Sequence, residues 1–97
     1  MSEVAARRRW PDSSRILIRR IAELAAASSL ADLRNAPGRC HALAGTRAGQ
    51  YALRLSARTR LVFEPFHDPV PRVVDGGIDL SRVTAVRILD VADYHDG

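Results

Sequence analysis

The sequence predicts an α+β domain in which an N-terminal helical hairpin packs on a mostly antiparallel sheet. Apolar residues recur at helical spacing early in the chain, alternate with polar residues in the middle, and form a nearly continuous run near the end. A chain of 97 residues has the length of one domain with a modest core. We therefore treat residues 1–97 as a single domain.

The first helix of the hairpin follows residues 1–9, which have no apolar period and which we expect to be flexible or only partly helical. A proline next to Asp12 and two serines is typical of a helix start, and the helix should end near residue 27. The residues expected on its buried face are Leu17, Ile21, Leu24 and Ala25. The residues expected mainly on its other, basic face, in contact with water or an anion, are Arg15, Arg19, Arg20 and Glu23.

A short second helix is predicted over residues 30–35. Ser29 and Asp32 have the spacing of a capping box, and the Pro37-Gly38 pair should stop the helix. Two helices joined near residue 28 would form a hairpin that covers one face of a sheet.

From Cys40 onward the pattern alternates as it does in strands. Residues 41–43, 50–55 and 60–64 are the strand candidates, and the turn at 56–59 makes the last two antiparallel neighbours. Alternation places Arg54 and Arg60 on the face opposite that of Leu53 and Leu61. His41, beside Leu43, is expected to be a core histidine.

The final strand is predicted over residues 81–92, after a long loop at residues 65–82 that contains three prolines and two glycines. Its apolar residues, Val83, Ala85, Val86, Ile88, Leu89 and Val91, fall on both faces, which indicates a central place in the sheet. It ends in Asp93-Tyr94-His95, a carboxylate, a phenol and an imidazole that can hold and move protons near neutral pH. The alternative is a polar, frayed terminus.

Composition narrows the function classes. No apolar run is long enough to span a membrane and no signal peptide is evident, so we expect a cytoplasmic protein. Cys40 is the only cysteine, which excludes an internal disulfide and disfavours structural zinc, and we expect no cofactor. The formal charge is +4, and all fifteen basic residues are arginines, whose planar forks suit phosphate. GC-rich coding is an equally good explanation of the arginines.

The order and spacing of several short motifs resemble the HigB family of toxins, in the RelE/ParE superfamily of bacterial toxin-antitoxin systems. The resemblance runs from about residue 30 to residue 95. The residues that carry it are Leu33-Arg34, Pro37-Gly38, His41, Leu43, Gly45-x-Arg47-x-Gly49-Gln50-Tyr51, Arg54, Arg60-Leu61-Val62-Phe63 and Asp93-Tyr94-His95.

The resemblance implies helices packed on a small twisted sheet whose open face binds RNA, and a metal-independent endoribonuclease that cuts mRNA on the ribosome. It implies His95 as the proton-transfer group, Asp93 as its orienter or an alternative base, and Tyr94 as a platform for a nucleotide base. Arg54 and Arg60 would hold the scissile phosphate. The residues assigned to RNA binding are Arg47, Gln50 and Arg87.

The implied partners are a cognate antitoxin, mRNA on the ribosome, and operator DNA only through the antitoxin complex, with no membrane. Ala44 and Ala48 stand where many relatives have lysines, which puts the nuclease activity in question. Two other functions stay open: inhibition of a gyrase-type target, and a non-catalytic role within an antitoxin or co-repressor complex. Arg54 and Arg60 could instead form ion pairs, with Glu64 for example.

Overall fold

The computed structural model describes residues 3–6 and 15–93, which form one α-helix and five strands. The helix α1 spans Arg15–Ala26. The strands are β1 (Glu3–Ala6), β2 (His41–Ala42), β3 (Tyr51–Arg54), β4 (Thr59–Pro65) and β5 (Ala85–Asp93). Short 3-10 turns lie between them at Leu30–Leu33, Gly45–Arg47 and Leu80–Arg82.

The five strands form one sheet in the order β1-β5-β4-β3-β2. The four strands from β2 to β5 are antiparallel neighbours, which confirms the predicted mostly antiparallel sheet. Strand β5 lies between β1 and β4, so its predicted central position is confirmed. A register shift in the β4–β5 pair falls between Val62 and Phe63.

The structure differs from our expectation near the N-terminus, where Glu3–Ala6 form the edge strand β1. The strand pairs in parallel with the first half of β5, Glu3 opposite Ala85 and Ala6 opposite Ile88. A strand of four residues needs only backbone groups to extend a sheet, so no apolar period marks it in the sequence.

Helix α1 buries Leu17 and Leu24 fully and Ile21 in part, as the helical spacing predicted. Two positions differ: Ala25 is exposed, and the Arg20 side chain is only 12% exposed. The predicted start of the helix lies in residues 7–14, outside the described residues. No described helix is both long and apolar enough to cross a membrane.

The predicted second helix is a single 3-10 turn, Leu30–Leu33. The predicted capping box does not form, because the Ser29 side chain makes no capping bond and Asp32 Oδ2 accepts from the Ser28 amide at 3.1 Å instead of the Ser29 amide. The turn is held from outside by a bond from the Leu30 amide to the Val83 carbonyl at 2.9 Å, and Leu30 is fully buried.

The core lies between α1 with its following turn and one face of the sheet. Tyr51 and Phe63 stack in it with ring centroids 6.3 Å apart. The buried residues of this cluster are Leu17, Leu24, Leu30, Leu33, Cys40, Tyr51, Leu53, Leu61, Phe63, Val83, Val86 and Ile88. The other side of β3 and β4 carries Arg54 and Arg60 at the hairpin end, together with the buried Ala52 and Val62.

The long loop between β4 and β5 is folded on itself. Arg72 and Ile78 form a β-bridge around a tight turn, in which the Val73 amide donates to the Gly77 carbonyl at 2.8 Å. Hydrogen bonds from Ser81 and then Arg82 hold the pKa of the Asp79 carboxyl below its usual range. The loop therefore has its own polar scaffold, although Val74 at its tip is exposed.

Candidate nucleic-acid interface

The β3–β4 hairpin places Arg54 directly opposite Arg60. The Arg54 amide donates to the Gly38 carbonyl at 2.8 Å, on the side of β3 that faces away from β4. Because the amide and carbonyl of a strand residue point the same way, Arg54 and Arg60 form a non-hydrogen-bonded pair, with Cα atoms about 4.5 Å apart. The two arginine side chains therefore leave the sheet side by side, on the face opposite the core.

The turn between the two strands holds both side chains. Arg54 Nε and Arg60 Nη1 donate to the same Ser56 carbonyl, at 3.3 and 3.1 Å. The Ser56 hydroxyl accepts from the amides of Arg58 and Thr59 at 3.2 and 3.1 Å, so a serine closes this turn in place of the usual glycine or asparagine. The sequence predicts a turn at residues 56–59 without a role for Ser56, and the Ser-x-x-Thr spacing is the signal that marks that role.

This arrangement is suited to binding an anion. Arg54 is exposed and forms no ion pair with any other residue that the structure describes. Like charges directly opposite each other destabilise a sheet. An anion bound between the two arginines would attract both of them and offset their mutual repulsion. A guanidinium carries five donors in a plane, which matches two oxygens of a phosphate.

The end of β5 passes beside the arginine pair. Ala92 is the β5 residue opposite Arg60, and Asp93 is opposite Thr59. The backbone therefore brings the start of the terminal triplet next to the strand that carries Arg60. Tyr94 and His95 lie outside the described residues, and for Asp93 only the backbone is described, so their assigned roles stay predictions.

Arg47 belongs to the same face of the sheet through a contact with β5. Its Nη2 atom lies 3.4 Å from Asp90 Oδ2, and its Nη1 atom donates to Gln50 Oε1 at 3.0 Å. Asp90 is opposite Val62 in the register, on the face that Arg60 shares. Arg47 and Gln50, both predicted to bind RNA, are thus brought together. Asp90 was not among the predicted site residues. The one signal for it in the sequence is its position two residues before Ala92, which puts both on the same face of β5.

Arg87 lies farther along β5 and is held by two side chains. Its Nη2 and Nε atoms lie 2.6 and 3.1 Å from Glu64 Oε2, and its guanidinium carbon lies 5.2 Å from the centre of the Phe66 ring. The Arg87 side chain is still 41% exposed. Glu64, considered above as a partner for Arg54 or Arg60, therefore pairs with Arg87.

The two histidines among the described residues, His41 and His67, both contact backbone groups. His41 is exposed on the two-residue edge strand β2, with Nδ1 3.2 Å from the Arg39 carbonyl oxygen, so our expectation of a core histidine is wrong. His67, for which the sequence suggested no role, accepts at Nε2 from the amides of Thr84 and Ala85 at 3.1 and 3.3 Å. An acceptor Nε2 carries no proton, so His67 is neutral in this arrangement and joins the long loop to β5.

The buried Cys40 thiol is on the core side, away from the arginine pair. Burial raises its pKa from 9.0 to about 12 against the opposing charge of Arg34, and burial also raises the pKa of Tyr51. A thiol with this pKa stays protonated near neutral pH, and the thiolate is the nucleophilic form. Among the described residues, no three His, Cys, Asp or Glu side chains are grouped closely enough to hold a metal ion.

An open cavity of about 310 Å³ adjoins this thiol at the β2 edge. The residues that line it are Arg34, Cys40, His41, Ala42, Tyr51, Ile78 and Leu80. None of the predicted site residues is among them, so the cavity is separate from the arginine pair.

Comparison with protein-family models and with curated proteins gives no match for this sequence. Among solved structures, the YoeB/ParE toxin from Agrobacterium tumefaciens matches over 96% of this chain and 99% of its own length. The TM-score is 0.52 and the sequence identity is 13%. The chain has the fold of that toxin. The expected mixed fold, a helix packed on a mostly antiparallel sheet, is thus confirmed.

Proposed function

We propose that this chain is the toxin of a type II toxin-antitoxin pair and that it cleaves mRNA on the ribosome without a metal ion. The observation that carries the proposal is the Arg54–Arg60 pair, two cations held by one carbonyl on the sheet face opposite the core. The fold of a YoeB/ParE toxin and the HigB-like order of motifs support the same reading. The fold alone would support several functions, so the site has to carry the argument.

The proposed reaction is attack of an RNA 2′-oxygen on the adjacent phosphorus. The new bond joins the 2′-oxygen to phosphorus, the bond from phosphorus to the 5′-oxygen breaks, and the products are a 2′,3′-cyclic phosphate and a 5′-hydroxyl. His95 or Asp93 takes the 2′-hydroxyl proton. If Asp93 is the base, His95 donates a proton to the departing 5′-oxygen, and if His95 is the base, the same imidazole passes the proton on to that oxygen. Charge grows on the non-bridging oxygens meanwhile, and Arg54 with Arg60 stabilises it.

The remaining cations on this face would hold the rest of the RNA. Arg47 and Gln50 bind the backbone next to the arginine pair, where Arg47 contacts Asp90, and Arg87 binds it farther along β5 in the same direction. Arg47 and Arg87 each keep a carboxylate neighbour, at 3.4 Å in Asp90 and 2.6 Å in Glu64, so their net contribution to phosphate binding is smaller than that of Arg54. Tyr94 supplies a surface on which a base can stack.

A toxin of this kind needs an antitoxin, and we propose a cognate partner protein that neutralises it. Operator DNA would be contacted through the complex of the two proteins. The face that carries Arg54 and Arg60 is the one whose access the partner has to control, either by covering it or by blocking entry to the ribosome.

The test is brief induction of the chain in bacteria, followed by mapping of new mRNA ends and by growth curves. The parent should arrest growth and produce new ends inside translated regions, and His95→Ala, Asp93→Asn and Arg54→Gln should each lose both effects. Arg19→Gln, which removes an exposed charge from α1, is the matched control and should behave like the parent.

Two outcomes would point to other functions. Growth arrest with intact transcripts and a DNA-damage response would favour inhibition of a gyrase-type target. A purified chain that leaves ribosome-bound message uncut but shifts operator DNA would favour a co-repressor role. The alanines at positions 44 and 48, where many relatives have lysines, would then explain the missing nuclease activity.

A further inference from the structure

Arg20 is a charged residue on the buried side of α1. It lies one turn from Leu17 and from Leu24, both of which are core residues, and its side chain is only 12% exposed. Withdrawing a guanidinium from water is unfavourable unless partners replace the lost hydration. The partners of Arg20 therefore indicate why an arginine occupies this position.

Those partners lie in two directions. Arg20 Nη1 is 2.8 Å from Glu23 Oε1, one turn along the helix, and Arg20 Nε donates to the Arg54 carbonyl at 3.1 Å. The second bond joins residues that are 34 positions apart in the chain. It links the helix to the end of β3, where the candidate phosphate-binding residue is located.

Gly38 completes the contact from the other side. Its carbonyl accepts the Arg54 amide at 2.8 Å, so both backbone polar groups of Arg54 are satisfied outside the sheet. A Cβ atom on Gly38 would lie 2.7 Å from Arg20 Nε and 2.9 Å from Arg20 Cδ, and the backbone there has φ of +89°. Only glycine allows the chain to approach Arg20 this closely in that conformation.

We propose that Arg20, seated against Gly38, is a positioning residue that fixes the backbone of Arg54 and so aims its guanidinium at the RNA phosphate. The role of the RNA phosphate in this inference rests on the proposed function, but the contact that fixes the Arg54 backbone can be tested without RNA. Arg54 is the last residue of β3, and a strand end without these two bonds would fray. A loss of aim at a phosphate site weakens binding even when every charge is still present.

Lysine cannot take the place of Arg20 in this arrangement. The guanidinium reaches Glu23 with one nitrogen and the Arg54 carbonyl with another, at fixed angles in one plane. An ammonium group is a single point of charge, so it would stay with the Glu23 carboxylate, the charged acceptor, and leave the Arg54 carbonyl. Arg20→Lys keeps the charge and most of the packing, so it separates positioning from electrostatics, and Arg20→Gln removes the charge as well.

The first measurement needs no RNA. Amide hydrogen exchange of Arg54 by NMR should be about tenfold faster in Arg20→Lys and Arg20→Gln than in the parent, because the 3.1 Å bond that holds the strand end is lost. The Leu61 and Phe63 amides should keep their parental rates, which shows that the variants are folded. Unchanged exchange at Arg54 in both variants would overturn the inference, whatever the chain does to RNA.

The second measurement is a double-mutant cycle on the binding of a short single-stranded RNA. Arg20→Lys alone should weaken binding about fivefold to tenfold, but it should add nothing to Arg54→Gln, since Arg20 acts through Arg54. Effects that add fully in the double variant would overturn the positioning role. If Arg54→Gln itself binds RNA like the parent, the proposed function fails, while the exchange result still decides the inference.

Discussion

Arg54→Gln should change stability in a way that depends on salt, because it removes one of two facing positive charges. Arg54 Nε and Arg60 Nη1 lie 3.3 and 3.1 Å from the same oxygen, so they are no more than about 6.4 Å apart. Two unit charges at that distance repel by about 0.6 kcal/mol in water and by about 2.6 kcal/mol at an effective dielectric constant of about 20. Arg54 is exposed, so the lower value is the appropriate one.

Urea unfolding of the parent and the variant, at about 20 mM and about 1 M NaCl, measures this repulsion. The variant also loses a hydrogen bond to the Ser56 carbonyl, but that loss is nearly the same at both salt concentrations. The stability of the variant relative to the parent should therefore be about 0.6 kcal/mol more favourable at low salt, about 2–5 °C in melting temperature for a domain of this size.

Arg19→Gln is the control, because it lowers the net charge equally from an exposed position on α1. A relative stability of Arg54→Gln that does not change with salt, or that changes as much in the control, would refute the reasoning, since no strong local repulsion would then exist. In the same preparations, affinity for single-stranded RNA should fall in Arg54→Gln and stay unchanged in Arg19→Gln. Opposite signs for stability and binding are what a site built for an anion predicts.

Three further variants test other parts of the fold. His67→Ala removes the acceptor for two backbone amides at the start of β5 and should lower the free energy of unfolding by about 1–3 kcal/mol, measured in urea. Asp90→Asn releases Arg47 from its carboxylate, so RNA titrations should show tighter binding and a steeper salt dependence. Burial raises the pKa of Cys40 from 9.0 to about 12, so the folded state keeps a proton that the unfolded state loses. Stability should therefore fall as pH rises between those values, and Cys40→Ala should show a smaller fall.

The sequence was most informative where one side of a strand had to be buried. Tyr51 and Leu53 on β3, with Leu61 and Phe63 on β4, define one face by alternation, and this fixes Arg54 and Arg60 on the other. The common face of the two arginines was therefore predictable. Their direct opposition was not, because the turn that sets the register depends on hydrogen bonds of a serine hydroxyl.

The sequence was least informative where long-range contacts decide. Arg20 was expected mainly on the exposed face of α1 because it is charged. Its spacing of three and four residues from Leu17 and Leu24 is that of the buried face. Arg20 donates to the carbonyl of Arg54, 34 residues later in the chain, and no pattern within the helix predicts this bond. His41 shows the opposite error: a short edge strand leaves a side chain exposed that alternation within a longer strand would have buried.

The four arginines of the candidate interface differ in what surrounds them, and the difference ranks them. Arg47 and Arg87 each have a carboxylate within 3.4 Å, which orients the guanidinium and cancels much of its charge toward an incoming anion. Arg54 has no carboxylate partner among the described residues; it faces Arg60, and both donate to an uncharged carbonyl. Two cations opposed at one turn repel each other and lower stability, and an anion bound between them would recover that loss. The arginine pair is therefore where we expect the scissile phosphate, and Arg47 and then Arg87 would hold the RNA chain at increasing distance from it along β5.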